Sequence, residues 1–354
     1  MQLLNTLYVT TPETYLHLEN DTIRVEVERT TRLRVPLHHV GTVVCFGNVL
    51  LSTPLMHRLA DDGIGLVLLD GNGRFKARLE GPVSGNVLLR QAQHHCSQDA
   101  ERSLAIARSC VAGKIKNARQ VLLRGGREAK ESNDAADLTR GADDLAAALR
   151  ALPAATDLDT LRGLEGEAAR QYFARLKLIV RPEAREHFSM NGRSRRPPRD
   201  RFNALLSFLY SMLMNDCRSA AEAAGLDPQV GFLHALRPGR AALALDLMEE
   251  FRAIADRLAL TLINRGQIGA QDFVEREGGS VLLEGDARKS VVVAWQERKQ
   301  EELSHPLLEQ PIPLGVVPLV QARLLARSLR GEMPDYLPFV IAESPHAGHR
   351  LLRR

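Results

Sequence analysis

Cysteine is scarce in this sequence. Its four cysteines, spread over 354 residues, are Cys45, Cys96, Cys110 and Cys217. None belongs to a CxxC pair, the spacing typical of zinc sites and redox motifs. A disulfide framework is therefore not expected, and a reducing cytoplasm is the predicted location.

Long apolar runs are also missing. No stretch approaches the roughly 18 uncharged apolar residues that a membrane-spanning helix needs, and charges interrupt even the segment 281–295. The N-terminal sequence MQLLNTLYVTT lacks the basic segment and apolar core of a secretory signal. We therefore expect a soluble protein with no membrane partner.

Apolar side chains are plentiful nonetheless. They make up 44% of the 354 residues, enough for a sizeable core in a chain that is long for one domain. The 47 Lys and Arg barely outnumber the 43 Asp and Glu. Basic residues therefore indicate a partner only where they cluster.

The N-terminal region alternates between apolar and polar residues, as in TYLHLENDTIRVEV, where Asn20 and Asp21 supply a turn. Further strands are predicted at 33–35, 40–46 and 64–69, and a short helix is predicted to begin at Ser52 or Thr53 before Pro54. We expect a β-rich domain over residues 1–84, ending in a linker at 81–85.

Downstream, apolar residues recur every three or four positions, and strand patterns nearly vanish. Helices are predicted at 87–123, 134–152, 158–180, 199–224, 241–264 and 317–329. The predicted fold class is α+β, a small N-terminal β-sheet domain followed by a mostly α-helical domain over residues 85–342. A basic tail, 343–354, has no core pattern.

One predicted helix carries a carboxylate on its inward face. In LDTLRGLEGEAARQYFARLKLI the apolar series steps by three or four residues, and Glu165 occupies one of its positions. Gly166 follows in mid-helix, where glycine costs about 1 kcal/mol relative to alanine unless something approaches the backbone closely. An inward carboxylate needs a cation, a donor network or a proton.

Two more acids occupy the apolar segment GFLHALRPGRAALALDLMEEF. Asp246 and Glu249 lie three residues apart, and His234 lies in the loop ahead of them. One imidazole with carboxylates suits Mn²⁺ or Mg²⁺ better than a thiolate-seeking metal. Taken singly, each residue is more simply a satisfied histidine or an acid paired with an arginine such as Arg252 or Arg175.

Three segments together, GLEGEAARQYF, RFNALLSFLYSMLMNDC and GFLHALRPGRAALALDLMEEFR, resemble the CRISPR-associated spacer integrase, in the variety that accompanies type I-C systems. The resemblance covers residues 3 to about 337. It implies a metal-dependent DNA endonuclease and integrase of CRISPR adaptation, acting through a β N-terminal domain and an α-helical catalytic domain.

The resemblance also implies which residues form the site. Glu165, His234 and Glu249 would form the metal-binding and catalytic triad, with Asp246 beside them. The last triad position is often Asp in the family, so either Asp246 or Glu249 is the closer ligand. A bound Mg²⁺ or Mn²⁺ would stabilise the charge that develops as a DNA 3′-hydroxyl, or water, attacks phosphorus.

Supporting residues are assigned less uniquely. Arg252 could clamp a phosphate or pair with Glu249. Asn203 and Ser207 repeat every four residues on an apolar helix and could hydrogen-bond the metal ligands, or simply pack helix against helix. Tyr172 and Tyr210 could contact DNA, although aromatics at helical spacing are more often core.

Basic clusters supply candidate DNA contacts, with five arginines between positions 193 and 201 beside Pro197 and Pro198. Solvated surface is the alternative interpretation. The residues proposed to bind DNA are Arg193, Arg195, Arg196, Arg199, Arg252, Arg288 and Lys289. A further basic stretch comprises Lys114, Lys116, Arg119, Arg124, Arg127 and Lys130.

The resemblance implies several partners: double-stranded DNA as prespacer and CRISPR repeat, a homodimer formed through the β domain, and a dimer of the small companion CRISPR-associated protein. Two alternatives stay open. One is a structure-selective repair endonuclease using the same site, and the other is a non-catalytic DNA-binding scaffold whose acids are salt-bridged to arginines.

Overall fold

The computed structural model describes residues 6–71, 75–79, 81 and 87–341. Its N-terminal region contains eight strands and one helix. The strands are β1 Thr6–Val9, β2 Thr14–Glu19, β3 Thr22–Val27, β4 Thr30–Pro36, β5 Thr42–Phe46, β6 Val49–Leu51, β7 Gly65–Leu69 and β8 Phe75–Leu79. Helix α1, Thr53–Asp61, begins after Ser52, whose hydroxyl accepts a hydrogen bond from the Leu55 amide.

These strands form two four-stranded sheets. One has the order β1-β5-β7-β8 with its first three strands parallel, and the other has the order β4-β3-β2-β6. The predicted β2–β3 hairpin turns at Asn20, which adopts a positive φ of 53°. Inward-facing Leu16 and Ile23 pack with Leu55 and Leu59 of α1 in a core between the sheets.

Strands β5 and β7 are buried on both faces, which explains their continuous apolar sequences. Val43 and Leu66 point into the N-terminal core, whereas Val44, Phe46 and Val67 belong to the core of the helical region. One sheet is therefore shared between the β-rich region and the helices. The domain boundaries expected at 84 and 342 stay a prediction, and the linker residues 82–85 and the tail lie outside the described residues.

The remaining described chain is mostly helical. Its helices are α2 Val87–Gln98, α3 Ala100–Glu128, α4 Ser132–Ala151, α5 Leu158–Leu176, α6 Pro182–Arg185, α7 Arg201–Ala223, α8 Ala242–Glu249, α9 Arg252–Asn264, α10 Gly285–Gln300 and α11 Val317–Leu329. Two short hairpins accompany them, β9 Phe273–Arg276 with β10 Ser280–Leu283, and β11 Glu302–Ser304 with β12 Pro311–Pro313. The predicted α+β class is confirmed.

Several predicted boundaries were wrong. The helix expected over 87–123 is two helices, because the carboxylate of Asp99 caps a new helix by accepting hydrogen bonds from the Glu101 and Arg102 amides. The helix expected over 241–264 breaks after Glu249. Helix α10 was not predicted. The two hairpins were also not predicted, because their strands are only three or four residues long.

The helices pack so that α3 contacts α5, α8 and α9, while α7 packs against α8 and α9 from another side. Polar residues on these elements therefore meet inside the bundle. Across the part of the chain that the structure describes, no helix combines the length and apolarity needed to cross a membrane.

Candidate metal and catalytic site

Two of the predicted site residues meet at one lysine. Glu165 of α5 and Glu249 of α8 both contact the ammonium group of Lys114, which comes from the middle of α3. The distance from Lys114 Nζ to Glu249 Oε2 is 2.7 Å. The inward position of Glu165 thus follows from the helical periodicity, and its counterion is Lys114, the first residue of the basic stretch that ends at Lys130.

Asp246 fixes the loop that carries His234. Its Oδ2 accepts hydrogen bonds from the Phe232 and Leu233 amides at 2.6 and 3.0 Å. Its Oδ1 lies 3.0 Å from the His234 amide nitrogen and 2.6 Å from His234 Nδ1. In the neutral form of His234, which donates from only one ring nitrogen, this contact places the lone pair on Nε2.

The loop approaches Asp246 so closely that only glycine fits at position 231. A Cβ added to Gly231 would lie 2.6 Å from Asp246 Oδ2 and 2.7 Å from the Ala242 backbone. His234 Nε2 then points toward Glu249 and lies 3.8 Å from its Oε1. That separation is too long for a hydrogen bond.

Glu249 is almost completely buried, with 3% of its side chain exposed. Arg252 donates to both of its oxygens, Nε to Oε2 at 2.7 Å and Nη2 to Oε1 at 2.9 Å. Burial alone would raise the pKa of Glu249, but the positive charges of Arg252 and Lys114 outweigh it and lower that pKa well below its usual range. The carboxylate is therefore held ionised.

A buried cluster beneath this group was not predicted. Asp256 of α9 accepts hydrogen bonds from the hydroxyls of Tyr172 and Tyr210 at 2.9 and 2.6 Å. Burial raises the pKa of Asp256 to about 6, although both tyrosine hydrogen bonds and Arg252 oppose the shift. The Arg252 guanidinium lies 4.7 Å from the centre of the Tyr210 ring. The tyrosines are thus core residues, as their helical spacing favours.

Asn203 and Ser207 hydrogen-bond another partner in this structure, and their role beside the metal ligands stays a prediction. Neither hydrogen-bonds Glu165, His234 or Glu249; both accept from Arg193 instead, at 2.7 Å to Asn203 Oδ1 and 3.2 Å to Ser207 Oγ. The reason is that Arg193 folds inward over the start of α7. There its guanidinium lies 5.2 Å from the Tyr210 ring centre.

Only some arginines of the basic loop 193–201 contact other residues of the protein. Arg193 donates to Asn203, and Arg199 donates to the Gly278 carbonyl at 2.6 Å. Arg195 and Arg196 are exposed and make no ion pair with any described residue. Elsewhere, Lys289 pairs with Asp286 at 3.2 Å, and burial lowers the pKa of Arg288. DNA contact by these residues stays a prediction.

Nothing in the described chain explains Gly166. A Cβ at this position would meet no described atom within 4 Å. The expected close approach is therefore absent within the protein itself.

The described residues contain no group of three His, Cys, Asp or Glu side chains placed to hold a metal ion as they stand. The reason lies in the geometry above, since the Lys114 ammonium fills the position between Glu165 and Glu249. The donor types nevertheless suit Mg²⁺ or Mn²⁺, because they comprise two carboxylates and one imidazole nitrogen.

The fold and this site together describe a class of α+β protein. An N-terminal sheet packs against a helical region, and inside that region a histidine lies among carboxylates. A family model described as "CRISPR associated protein Cas1" matches residues 7–297, and the chain belongs to this family. The predicted family is thereby confirmed, whereas the type I-C variety is not established.

Curated relatives match nearly end to end. "CRISPR-associated endonuclease Cas1 1" of Moorella thermoacetica is 58% identical over 339 residues, covering 96% of this chain and 98% of the relative. "CRISPR-associated endonuclease Cas1 2" of Rhodospirillum rubrum is 52% identical over 343 residues, covering 96% of this chain and 98% of the relative.

Solved structures share the fold. A chain of a "Cas6-RT-Cas1--Cas2 complex" superposes with a TM-score of 0.81 at 25% identity, over 96% of this chain and 36% of that chain. A "Casposase bound to integration product" gives 0.80 at 22% identity, over 99% and 96%. A Cas1 protein from Thermotoga maritima gives 0.79 at 23% identity, over 96% and 100%.

Proposed function

We propose that Glu165, His234 and Glu249 bind one divalent ion, Mg²⁺ or Mn²⁺, and that the chain uses it to join foreign DNA fragments to a CRISPR array. At the coarser level the predicted function and enzyme class are confirmed. Relatives as similar as 58% identical are named CRISPR-associated endonucleases, so this chain is a CRISPR-associated DNA endonuclease of the spacer-integrating family.

The observation that supports the site most directly is the direction of His234 Nε2. Asp246 Oδ1 accepts a hydrogen bond from His234 Nδ1–H, which directs Nε2 toward Glu249 Oε1 at 3.8 Å, where it meets no donor among the described residues. A divalent cation between the Nε2 lone pair and the Glu249 carboxylate would be coordinated by both groups.

The same reasoning weighs against a salt-bridged scaffold. Arg252 and Lys114 do pair with Glu249, as that alternative expects. However, neither cation contacts His234 Nε2, whose lone pair in the neutral imidazole a divalent ion would use. Lys114 supplies a charge where a divalent ion would satisfy both Glu165 and Glu249, so the pairing is compatible with a cation site.

Each protein group then has a defined task. Asp246 acts as a positioning residue rather than a ligand, because its two oxygens already accept from three amides and the imidazole. Arg252 keeps Glu249 ionised and oriented. A divalent ion, when bound, would polarise the phosphodiester and stabilise charge on its oxygens as a 3′-hydroxyl or water attacks phosphorus.

The test is strand joining with the companion protein, short duplexes carrying free 3′-hydroxyls and a supercoiled array plasmid, in Mg²⁺, Mn²⁺ or EDTA. Glu165→Gln should lower joining by about 100-fold or more, and Asp246→Asn by about 10- to 100-fold through loss of His234 orientation. Glu167→Gln is the matched control, since Glu167 lies on the same helix but is exposed.

Joining that persists in EDTA or in Glu165→Gln would remove the proposed site. Metal-dependent cutting without joining would instead favour the repair endonuclease that the sequence leaves open. Both results are read from the same gel, as joined products or as cut ends only.

We further propose the partners that the family resemblance implies, namely prespacer and repeat DNA, a homodimer, and a dimer of the small companion protein. Support comes from two structural neighbours, a chain of a "Cas6-RT-Cas1--Cas2 complex" and a "Casposase bound to integration product". The type I-C variety rests on the three sequence motifs alone. The cytoplasmic location also stays a prediction.

A further inference from the structure

A second cleft lies away from the candidate metal site and shares no lining residue with it. It has a volume of about 340 Å³, within the range of small-molecule sites. The C-terminal part of α3, the start of α4, the segment 178–182 and the C-terminal part of α9 enclose it. Its basic lining residues are Arg124, Lys130, Arg181, Arg185, Arg257 and Arg265.

Two of these cations are neutralised within the cleft. Arg124 Nε lies 2.7 Å from Glu128 Oε1, and Arg185 Nη2 lies 2.5 Å from Asp134 Oδ2. Glu131 is the one lining acid that makes no ion pair with a described residue. The four other cations make none either, so the cleft carries an excess of uncompensated positive charge.

Arg257 is the most informative of the four. It is partly buried, and its guanidinium makes no hydrogen bond or ion pair with any described residue. Burial, reinforced by the nearby charges of Arg124 and Arg298, lowers the pKa of Arg257 to about 10. Glu128 and Glu301 oppose this shift without forming an ion pair with Arg257, and an anion bound in the cleft would offset the remaining desolvation cost of the guanidinium.

The segment 178–182, which forms one wall of the cleft, is held in place by hydrogen bonds. Asn264 accepts from the Arg181 amide at 2.9 Å and donates to the Ile179 carbonyl at 3.0 Å. Arg185 donates to the Val180 carbonyl at 2.7 Å. Ile179 packs directly against the backbone of Gly125 in α3, because a Cβ at Gly125 would lie only 2.7 Å from the Ile179 side chain. The cleft is therefore preformed.

We propose that this cleft binds a phosphate-bearing ligand, with Arg257 and Arg181 as its main contacts. A guanidinium matches phosphate geometry through paired N–H donors, and Arg257 is already desolvated. The phosphate could belong to a free nucleotide or to a nucleic-acid backbone. The inference goes beyond the proposed function, because it involves none of the residues assigned to metal or chemistry.

The free-phosphate source is tested by calorimetric titration of the full chain with pyrophosphate and with ATP, in EDTA so that the metal site does not contribute. Arg257→Gln and Arg181→Gln should each weaken binding by about tenfold. Glu131→Gln should leave binding intact or strengthen it. Arg323→Gln, an exposed arginine on α11, is the matched control and should change nothing.

The nucleic-acid source is tested by fluorescence anisotropy of a labelled single strand and a labelled duplex over a salt series, also in EDTA. Loss of one phosphate contact in Arg257→Gln should reduce the slope of log K against log salt by about 1. The control should keep the wild-type slope.

Each outcome decides the proposal. Pyrophosphate or ATP binding that falls in both cleft variants supports it with a free-phosphate ligand, and a reduced salt slope alone supports it with a backbone ligand. Wild-type affinity and wild-type salt slope in both Arg257→Gln and Arg181→Gln overturn it. Arg181 is exposed, so its variant tests the cleft even where Arg257→Gln disturbs folding. Because EDTA is present throughout, failure here leaves the strand-joining test unaffected.

Discussion

Lys114 places one ammonium between two carboxylates on different helices, and one of them is almost fully buried. Without this cation, Glu249 would keep only Arg252, and Glu165 would have no ion-pair partner among the described residues. The lysine therefore stabilises the arrangement of the two carboxylates, and it occupies the place of the divalent ion in the proposed site. An ion bound there would have to displace it.

Replacing Lys114 by methionine tests this competition. We expect Lys114→Met to bind Mn²⁺ about tenfold more tightly, since no ammonium has to leave, and to lose about 2 kcal/mol of metal-free stability, since Glu165 and Glu249 are left facing each other. Electron paramagnetic resonance of free Mn²⁺ measures the first effect, and urea unfolding in EDTA measures the second.

Lys116→Met is the control for that experiment, because Lys116 lies on the same helix but is exposed. It should leave both quantities unchanged. Weaker Mn²⁺ binding in Lys114→Met would mean that the lysine helps to hold the ion rather than competing with it.

Among the elements, the C-terminal end of α8 places two consecutive acids in different surroundings, Glu249 as its last residue and Glu250 directly after it. Glu249 faces the candidate site, while Glu250 points the other way and accepts hydrogen bonds from Gln321 Nε2 at 3.0 Å, from the Phe339 amide at 2.7 Å and from the Tyr336 hydroxyl. Glu250 thus ties α8 to α11 and to the last described segment. Burial raises the pKa of Glu250 to about 7.

This raised pKa predicts a pH dependence of stability. Between pH of about 4.5 and 7 the folded state keeps a proton on Glu250 that the unfolded state has lost, so stability falls as pH rises through that window. Relative to Glu250→Gln, the wild type should lose about 3 kcal/mol across it. Urea unfolding at a series of pH values gives the free energy of unfolding of both proteins. The contributions of other titrating groups cancel in the difference between them.

Glu297→Gln, at an exposed position of α10, should track the wild type at every pH. Parallel curves for wild type and Glu250→Gln would show that Glu250 stays ionised throughout and that its three donors outweigh its burial.

The sequence predicted elements well where one helix face or one alternating strand decided the pattern. The periodicity of α5 placed Glu165 inward, and the β2–β3 turn was readable at Asn20 and Asp21. It could not predict what depends on contacts between helices. Nothing in the α3 segment distinguishes Lys114 from solvated lysines, and Asp256 is identifiable only once two tyrosines from other helices reach it.

At the scale of the whole molecule, one outer face of the β-rich region exposes apolar side chains. Tyr15 of β2 and Leu50 of β6 are direct neighbours across the sheet and are 38% and 57% exposed. Tyr15 also stacks on His17, with ring centres 5.1 Å apart. An apolar pair at the edge of a sheet suits self-association, and the family resemblance implies a homodimer through this region.

We therefore expect Leu50→Arg to convert a dimer into a monomer at micromolar concentration, because burying an unpaired guanidinium at a self-complementary interface costs several kcal/mol on each side. Sedimentation equilibrium gives the mass directly. Val293→Arg is the matched control, since Val293 is a similarly exposed apolar residue, at 55%, on helix α10 rather than on the sheet. A dimer that survives Leu50→Arg would exclude this face, and dissociation by Val293→Arg alone would move the interface to the helical region.

Strand joining by the monomeric variant would then show whether the sites of two copies must act together. Glu165, His234 and Glu249 all come from one chain, so a monomer retains all three residues of the proposed site.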